Sequence, residues 1–307
     1  MSQTRTNHPP DPPAFAINGV KVPAPPLTAG LYIVATPIGN LGDITLRALS
    51  TLAAADLVAC EDTRISRVLL DRYGIAQPLT PYHEHNAAAQ RPRLLTALDA
   101  GRAVALISDA GTPLVSDPGY RLVTEAVAAG HPVVPVPGAS ALLAALVSAG
   151  LPTDAFLFAG FLPTKQEGRR KRLAALAGVP ATLAFYESPK RLAAVLANMA
   201  ATLGGERQAV VARELTKAHE SVRRGNLDEL AAAYDGEPPP KGEVVILVGP
   251  PVEVAPDPQS VDELLAGLLA TGSVRTAADE AAALTGLSRR KLYQRALALK
   301  DRDAPSD

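Results

Sequence analysis

The sequence predicts an α/β protein made of two α/β domains and a small C-terminal helical domain, and three observations carry that prediction. Apolar, strand-like runs alternate with helix-period segments from residue 31 to about residue 148. The same alternation restarts after Leu151 and Pro152, and residues 260–300 are polar and helix-periodic. A length of 307 residues favours more than one core domain. The division expected is a Pro-rich tail over residues 1–28, an N-terminal α/β domain over 29–150, a second over 151–250, and a linker with a helical domain over 251–307.

The N-terminal segment MSQTRTNHPPDPPAFAINGVKVPAPP lacks an apolar core of the signal-peptide kind and holds too many prolines for a packed helix, so it reads as a disordered tail. Strands are expected at residues 31–35, 57–60, 104–107 and 133–136, each a short apolar run followed by turn residues or a helix start. Helices interleave them, including 44–54 and 65–73, and Gly74 stands where a C-cap glycine belongs. Strands alternating with helices imply a largely parallel sheet. In the second domain the strands are 155–159, 182–186, 208–213 and 244–248, and Ser188 with Pro189 suits an N-cap and first helical position. EPPP at 237–240 is a stiff break, and PPVEVAPDP after Gly249 reads as a linker. Residues 277–295, AADEAAALTGLSRRKLYQR, have helix-turn-helix spacing: Ala282 permits close helix crossing, Gly286 turns the chain, and Ser288 caps a helix bearing Arg289, Arg290, Lys291 and Arg295. A helical hairpin that merely packs has the same spacing.

Composition narrows the function classes. A net charge of −1 excludes a uniformly basic nucleic-acid coater but leaves room for local patches. Three exist: RRKR at 169–172; Arg213, Lys217, Arg223 and Arg224; and the cluster from Arg289 to Arg295. A solvated helix face is the better account of each cluster alone, and three together on one chain shift that balance towards nucleic acid without deciding it. The lone Cys60 allows no internal disulfide and fits a reducing cytoplasm. The most apolar stretch, 133–151, is broken by Pro135, Pro137 and Gly138, so no spanning helix is expected. His83 and His85 with Glu84 fall short of a zinc site, which needs three protein ligands at least, and no CxxC, HExxH or GxxxxGKT string accompanies them. The expectation is no metal.

Three strand ends run directly into Gly- and Pro-studded loops. LYIVATPIGNLGDITLRAL at 31–49, SDAGTPLVSDPG at 108–119 and PGASA at 137–141 each combine a backbone free to approach a ligand with prolines that stiffen it. In open α/β sheets ligands bind beyond the carboxyl ends of the strands, so a pocket is expected there.

ATPIGNLGDIT, ISDAGTPLVSDPG, VPGASALLAAL and LPTDAFLFAGFLP together resemble the tetrapyrrole methylase superfamily. CEDTR (60–64), FYESPKRL (185–192), ARELTKAHE (212–220) and KGEVVILVG (241–249) are similar to its branch that methylates a cytidine ribose 2′-oxygen in 16S ribosomal RNA of the small-subunit decoding region. The resemblance covers about residues 31–300. It implies S-adenosylmethionine as methyl donor, bound folded in a cleft between the two α/β domains, which explains why no GxGxG string is found. The residues it implies for the donor are Pro37, Asp109, Ala110, Gly111, Val115, Ser140, Ala141, Phe161, Gly242 and Glu243. It also implies a homodimer and a C-terminal domain that positions RNA. GNLGD departs from the GxGxGD common in corrin-making relatives, which weighs against a corrin substrate.

Methyl transfer to an alcohol needs a place for the hydroxyl proton. Glu61, Asp62, His83, Glu214 and Lys217 are the candidates carried forward, with Glu84, Asn86, Glu187 and Glu220 nearby in the same motifs. Asp62 equally suits a helix cap. Lys217, protonated at neutral pH, suits a phosphate or ribose contact, and His83 a polar substrate contact or a surface loop. Arg64, Arg213, Arg289, Arg290 and Lys291 are the expected RNA contacts. Two other functions stay open at this point: a corrin or small-molecule methylase, and a non-catalytic protein that senses S-adenosylmethionine and holds RNA.

Overall fold

The computed structural model describes residues 12–251 and 258–302. Residues 12–251 form an α/β body, and the helices after residue 257 form a separate unit. The body opens with a hairpin of β1 (Ala14–Ile17) and β2 (Val20–Pro23). Its first half contains β3 (Gly30–Val34), α1 (Leu46–Ala54), β4 (Leu57–Cys60), α2 (Thr63–Arg72), β5 (Leu79–Pro81), α3 (Ala87–Asp99), β6 (Ala103–Ile107), α4 (Tyr120–Ala128), β7 (Val133–Val136) and α5 (Ala141–Ala149). Its second half contains β8 (Phe156–Phe161), α6 (Gln166–Ala174), β9 (Thr182–Glu187), α7 (Leu192–Leu203), β10 (Gln208–Arg213), β11 (Ser221–Asn226), α8 (Leu227–Tyr234) and β12 (Val244–Val248).

The first sheet runs in the order β5, β4, β6, β3, β7, with every pair parallel. A parallel sheet is covered on both faces, and β6 (AVALI) is buried at all five positions accordingly. One face packs against α1 through Leu49 and Leu52; the other packs against α3 and α4 through Leu94, Leu98 and Leu122. Neighbouring strands β3 and β6 therefore send the chain to opposite faces, α1 on one and α4 on the other. That reversal opens a crevice beyond their carboxyl ends.

The second sheet runs β11, β10, β12, β9, β8; only β8 and β9 are parallel, and the rest are antiparallel. One of its faces is covered by α7 and α8 through Leu192, Val195, Leu196, Met199, Leu227 and Leu230. The opposite face is covered from the first half: Leu142, Ala145, Leu146 and Ala149 of α5 pack on Ala184, Val210, Ala212, Val245 and Leu247. The Ala-rich helices α7 and α8 thus each bury one face in a core.

The expected disordered tail over residues 1–28 is corrected in its described part. Asn18 and Gly19 both take positive φ (50° and 81°), the geometry of a tight hairpin turn, and AFAI pairs with VKVP across it. Phe15 is 4% exposed and joins the core beside α1, while the Ala16 N–H donates to the Tyr73 carbonyl at 2.7 Å. Alternating side chains let a proline-flanked segment bury one face.

The helical unit comprises α9 (Pro258–Leu269), α10 (Val274–Thr285) and α11 (Arg289–Arg302) around Val261, Leu265, Ala278, Ala281, Leu292 and Ala296. Ser273 caps α10 through the Thr276 N–H, and Gly286 ends it in the left-handed region. Among the described residues no helix is long and apolar enough to cross a membrane.

Phe15→Ala is expected to lower folding stability by about 3 kcal/mol, because a large side chain leaves a packed core. Urea denaturation checks it. An unchanged midpoint would show that the hairpin only rests on the surface.

Candidate active site

The three Gly- and Pro-rich loops of the first half are stitched together by short-range chemistry. Thr36 after β3 and Gly111 after β6 exchange both backbone hydrogen bonds, at 2.9 and 3.0 Å, and the Thr36 hydroxyl donates to the Ser108 carbonyl at 3.1 Å. The Thr112 hydroxyl donates to the Ala139 carbonyl at 3.2 Å, tying in the third loop. Gly111 has φ +79°, and a Cβ there would press on the Ile38 methyl at 3.3 Å, so the close approach needs glycine.

Against these loops the second half closes a cleft of about 390 Å³, within the range of small-molecule sites. Asp109, Ala110, Gly111, Val115, Ser140 and Ala141 line it from the first half; Phe161, Gly242 and Glu243 line it from the second. All were expected there from the sequence. Pro37 instead lines an adjoining concavity, on the far side of Ile38, Asp109, Ala110 and Glu243, which border both spaces. The sequence reading missed Asp117, Thr112, Tyr186 and Ser188 as lining residues. Phe161 is 57% exposed and meets Tyr186 edge to face at 5.7 Å, leaving an aromatic wall open to the cleft.

The cleft is acidic. Burial raises the Glu61 and Asp109 carboxyls above their ordinary values, with the Asp109 charge adding to the rise at Glu61 and the Asp62 charge to that at Asp109, and burial beside Glu61 raises Asp117 to about 6. Glu187 is buried: Oε1 accepts from the Ser188 N–H at 2.8 Å and lies 3.2 Å from Arg191 Nε, but Oε2 has no partner. Among the described residues no three His, Cys, Asp or Glu side chains are placed to hold a metal ion.

At the rim a lysine of the second half is held by two carboxylates of the same half and packs against the first. Lys217 Nζ donates to Glu214 Oε1 at 2.8 Å and to Glu243 Oε2 at 3.1 Å, and its methylenes lie against Gly39, where a Cβ would collide with them. Burial works against the Lys217 charge, but the two glutamates outweigh it and raise its pKa; Lys217 in turn lowers that of Glu214. Glu214 also accepts from the Glu243 N–H at 3.0 Å, and its carboxyl occupies the space a side chain at Gly242 would need. Four non-glycine residues around the site, Leu114, Ser116, Glu214 and Thr216, hold positive φ of 51° to 71°.

This geometry gives several of the candidate side chains partners within the protein. Asp62 caps α2 through the Arg64 N–H at 2.8 Å and pairs with the Arg64 guanidinium, which holds its carboxyl at about 2, too acidic to serve as a base. Its own N–H donates to Asp109 Oδ1 at 2.9 Å, so it positions the cleft wall. Lys217 and Glu214 are committed to each other. His83 is not among the residues lining the cleft, and its backbone N–H donates to Asn86 Oδ1 at 2.9 Å. Arg213 donates through its guanidinium to Ser221 Oγ and the carbonyls of His219 and Lys241, clamping the turn after β10. Arg169 is buried on Asn198, and Arg224 caps the carbonyls of Ser148 and Ala149. In the helical unit Arg289 pairs with Asp279 and Arg295 with Asp262, while Arg290 and Lys291 are exposed and have no ion pair among the described residues.

The two half-sheets and the stitched cleft define the class of protein. The family model described as "Tetrapyrrole (Corrin/Porphyrin) Methylases" matches residues 30–231, and the chain belongs to that family. A second model, "RsmI C-terminal HTH domain", matches residues 255–300. The uroporphyrin-III-C-methyltransferase of Thermus thermophilus shares the fold, with TM-score 0.52 and 23% identity over 72% of this chain and 94% of that one. Within the family, the chain groups with the proteins called ribosomal RNA small subunit methyltransferase I. It is 59% identical to that of Mesorhizobium japonicum over 95% of this chain and 99% of the relative, and 50% identical to that of Pseudomonas aeruginosa over 88% and 98%.

Two outcomes are expected from this site. Gly242→Ala, which puts a methyl group into the Glu214 carboxyl at φ +97°, weakens binding in the cleft by about tenfold or more with the fold retained, measured by calorimetry and circular dichroism. Asp117 prefers its proton in the folded state, since its pKa rises from 3.8 to about 6. That preference supports folding below the lower value and is lost as pH climbs through the upper one. Asp117→Asn is therefore expected to melt above the parent at about pH 7.5, with the gap closing towards about pH 4; a constant gap would place the effect elsewhere.

Proposed function

We propose that this chain transfers a methyl group from S-adenosylmethionine to the 2′-oxygen of a cytidine ribose in 16S ribosomal RNA, in the decoding region of the small subunit. The observation that carries this reading is the 59% identity to a ribosomal RNA small subunit methyltransferase I over 95% of the chain, which takes in both the cleft and the helical unit. The cleft suits the donor physically. S-adenosylmethionine is cationic at sulfur and amine, and the walls present Glu61, Asp109, Glu187 and Glu243, the third with an unpartnered buried oxygen. Gly111 and Gly242 leave backbone open to close approach, and Phe161 offers a face to a planar ring. Asp109, Ala110, Gly111, Val115, Ser140, Ala141, Phe161, Gly242 and Glu243 would hold the donor. When bound, it supplies an electrophilic methyl group on a positively charged sulfur. The protein's share is alignment: the stitched loops fix one wall, and the packing of α5 on the second sheet sets the other against it, as an in-line displacement between atoms about 3 to 3.5 Å apart requires.

RNA is engaged, in this reading, by Arg290 and Lys291, with Arg64, whose side chain is 89% exposed, assisting beside the cleft. A homodimer is the assembly we favour, since Leu41, Ile65 and Val68 expose apolar side chains around one concavity of the first half.

Transfer of labelled methyl to small ribosomal subunits lacking the modification, followed by nucleoside analysis, tests the proposal. The expected product is 2′-O-methylcytidine; donor binding without RNA product would favour a sensor. Replacing Arg290 and Lys291 together by Glu is expected to weaken subunit binding and to flatten its logarithmic salt dependence by about 1 to 2, while donor affinity stays unchanged.

A further inference from the structure

A second concavity adjoins the cleft on the side of α3 and α4 and, at about 570 Å³, exceeds it in size. Ser116 and Asp117 line both spaces, so the loop between β6 and α4 is their common wall. The two differ in chemistry. The cleft is walled largely by apolar side chains and backbone around its carboxyl groups. The neighbour is walled by Tyr82, Glu84, Arg91, Tyr120 and Arg121. Tyr120 is 74% exposed, an aromatic ring with no packing reason to face water. Arg121 is exposed and has no ion pair among the described residues, while Arg91 is held at 2.8 Å by Glu125. An open aromatic face beside guanidinium groups is what a nucleotide needs: stacking for the base and charge for the phosphate.

The shared wall is held rigidly. Leu114 and Ser116 sit at φ 71° and 68°, Gly119 at 136° packs where a Cβ would touch Leu106 at 3.0 Å, and β8 presses close enough that a Cβ at Gly160 would meet Ser116 Oγ at 3.3 Å. Backbone strain of this kind persists where surrounding structure fixes one arrangement. The arrangement fixed here puts the Asp117 carboxyl at the boundary between the two spaces.

We infer that this second concavity receives the acceptor nucleotide, with Tyr120 against the base, Arg121 and Arg91 towards phosphate, and Asp117 accepting the proton of the ribose hydroxyl. The inference rests on the methyltransferase reading and deepens it. As the new oxygen–carbon bond forms from an oxygen electron pair, the carbon–sulfur pair leaves with sulfur and the hydroxyl proton passes to Asp117. The sulfonium charge and the carboxylate charge vanish together, and no other reactant is needed. Asp117 faces Glu61, Asp109 and Tyr186 on the cleft side and Glu84, Arg91 and Arg121 on the other. The concavity around Pro37 is a poorer acceptor site, because Leu41, Ile65, Val68 and Leu69 give it an aliphatic side and, among the described residues, no aromatic ring lines it to stack on a base.

Steady-state methylation of small ribosomal subunits, alongside calorimetric donor binding, tests this on the full-length protein. Tyr120→Ala and Arg121→Ala are expected to raise KM for subunits by about tenfold each, with donor Kd within about twofold. Asp117→Asn is expected to lower kcat by about a hundredfold or more, leave both affinities within about threefold, and remove an acid limb of the pH profile near 6. Donor binding by each variant shows that it folds. Methylation by the parent with unchanged kinetics in all three variants would overturn the assignment alone. Loss of donor affinity in Tyr120→Ala or Arg121→Ala would also overturn it, placing this concavity in the donor site. A parent that methylates no RNA would remove the methyltransferase reading and this inference with it.

Discussion

Helix α5 belongs to the first half by sequence and to the second half by packing. Its Leu142, Ala145, Leu146 and Ala149 fill one face of the second sheet, and at roughly 1.5–3 kcal/mol for each fully buried leucine this contact is strong enough to set the relation of the two sheets. Both ends of the helix use that position. The N-terminal end delivers Ser140 and Ala141 to the cleft, with Ser140 capping the helix through the Leu143 N–H. The C-terminal end is received by Arg224 of β11, whose guanidinium takes the carbonyls of Ser148 and Ala149. A cleft between two sheets is only as well defined as the element that spans them, and here that element is a single apolar helix.

The polar bridge at the rim completes what α5 begins. Lys217 over Gly39, paired with Glu214 and Glu243, pins the loop after β10 to the loop after β3. Glycine is required at Gly39 and Gly242 because a charged side chain occupies the space beside each. Packing of α5 relates the two halves, and the ion triad, which lies wholly within the second half, holds the Lys217 methylenes against Gly39 of the first. Such a triad adds little net stability but would leave unpaired charge if broken.

Much of this was legible in the sequence because burial on both faces writes continuous apolar runs. The strands at 57–60 and 133–136 fall where AVALI-like runs and turn residues place them, and the three ligand loops announce themselves by Gly and Pro after a strand. The hairpin β1–β2 was obscured by flanking prolines, although its Asn18-Gly19 turn and alternating AFAI carried the signal. Edge strands β5 and β11 were missed for the opposite reason: LTP is too short and SVRRGN too polar to register. Among site residues, those whose partners lie close in the chain could be weighed correctly, as with the Asp62 cap. Arg213, Arg224 and Arg169 could not, because their partners include groups brought near only by folding. Asp117 was hidden by its neighbour in the same motif, since Asp109 in SDAG drew the assignment; its place between Gly111 and Gly119 was the available clue.

The left-handed backbone at Leu114, Ser116, Glu214 and Thr216 bears on how the sequence can change over time. Non-glycine residues there cost on the order of 1–3 kcal/mol each, together comparable to the whole net stability of an ordinary domain, about 5–15 kcal/mol. Free energy committed to two loops is withdrawn from the reserve that lets a core absorb substitutions. The interior of this protein is therefore expected to drift more slowly than that of a relaxed α/β protein of equal size, with constraint spreading to core positions that touch no ligand.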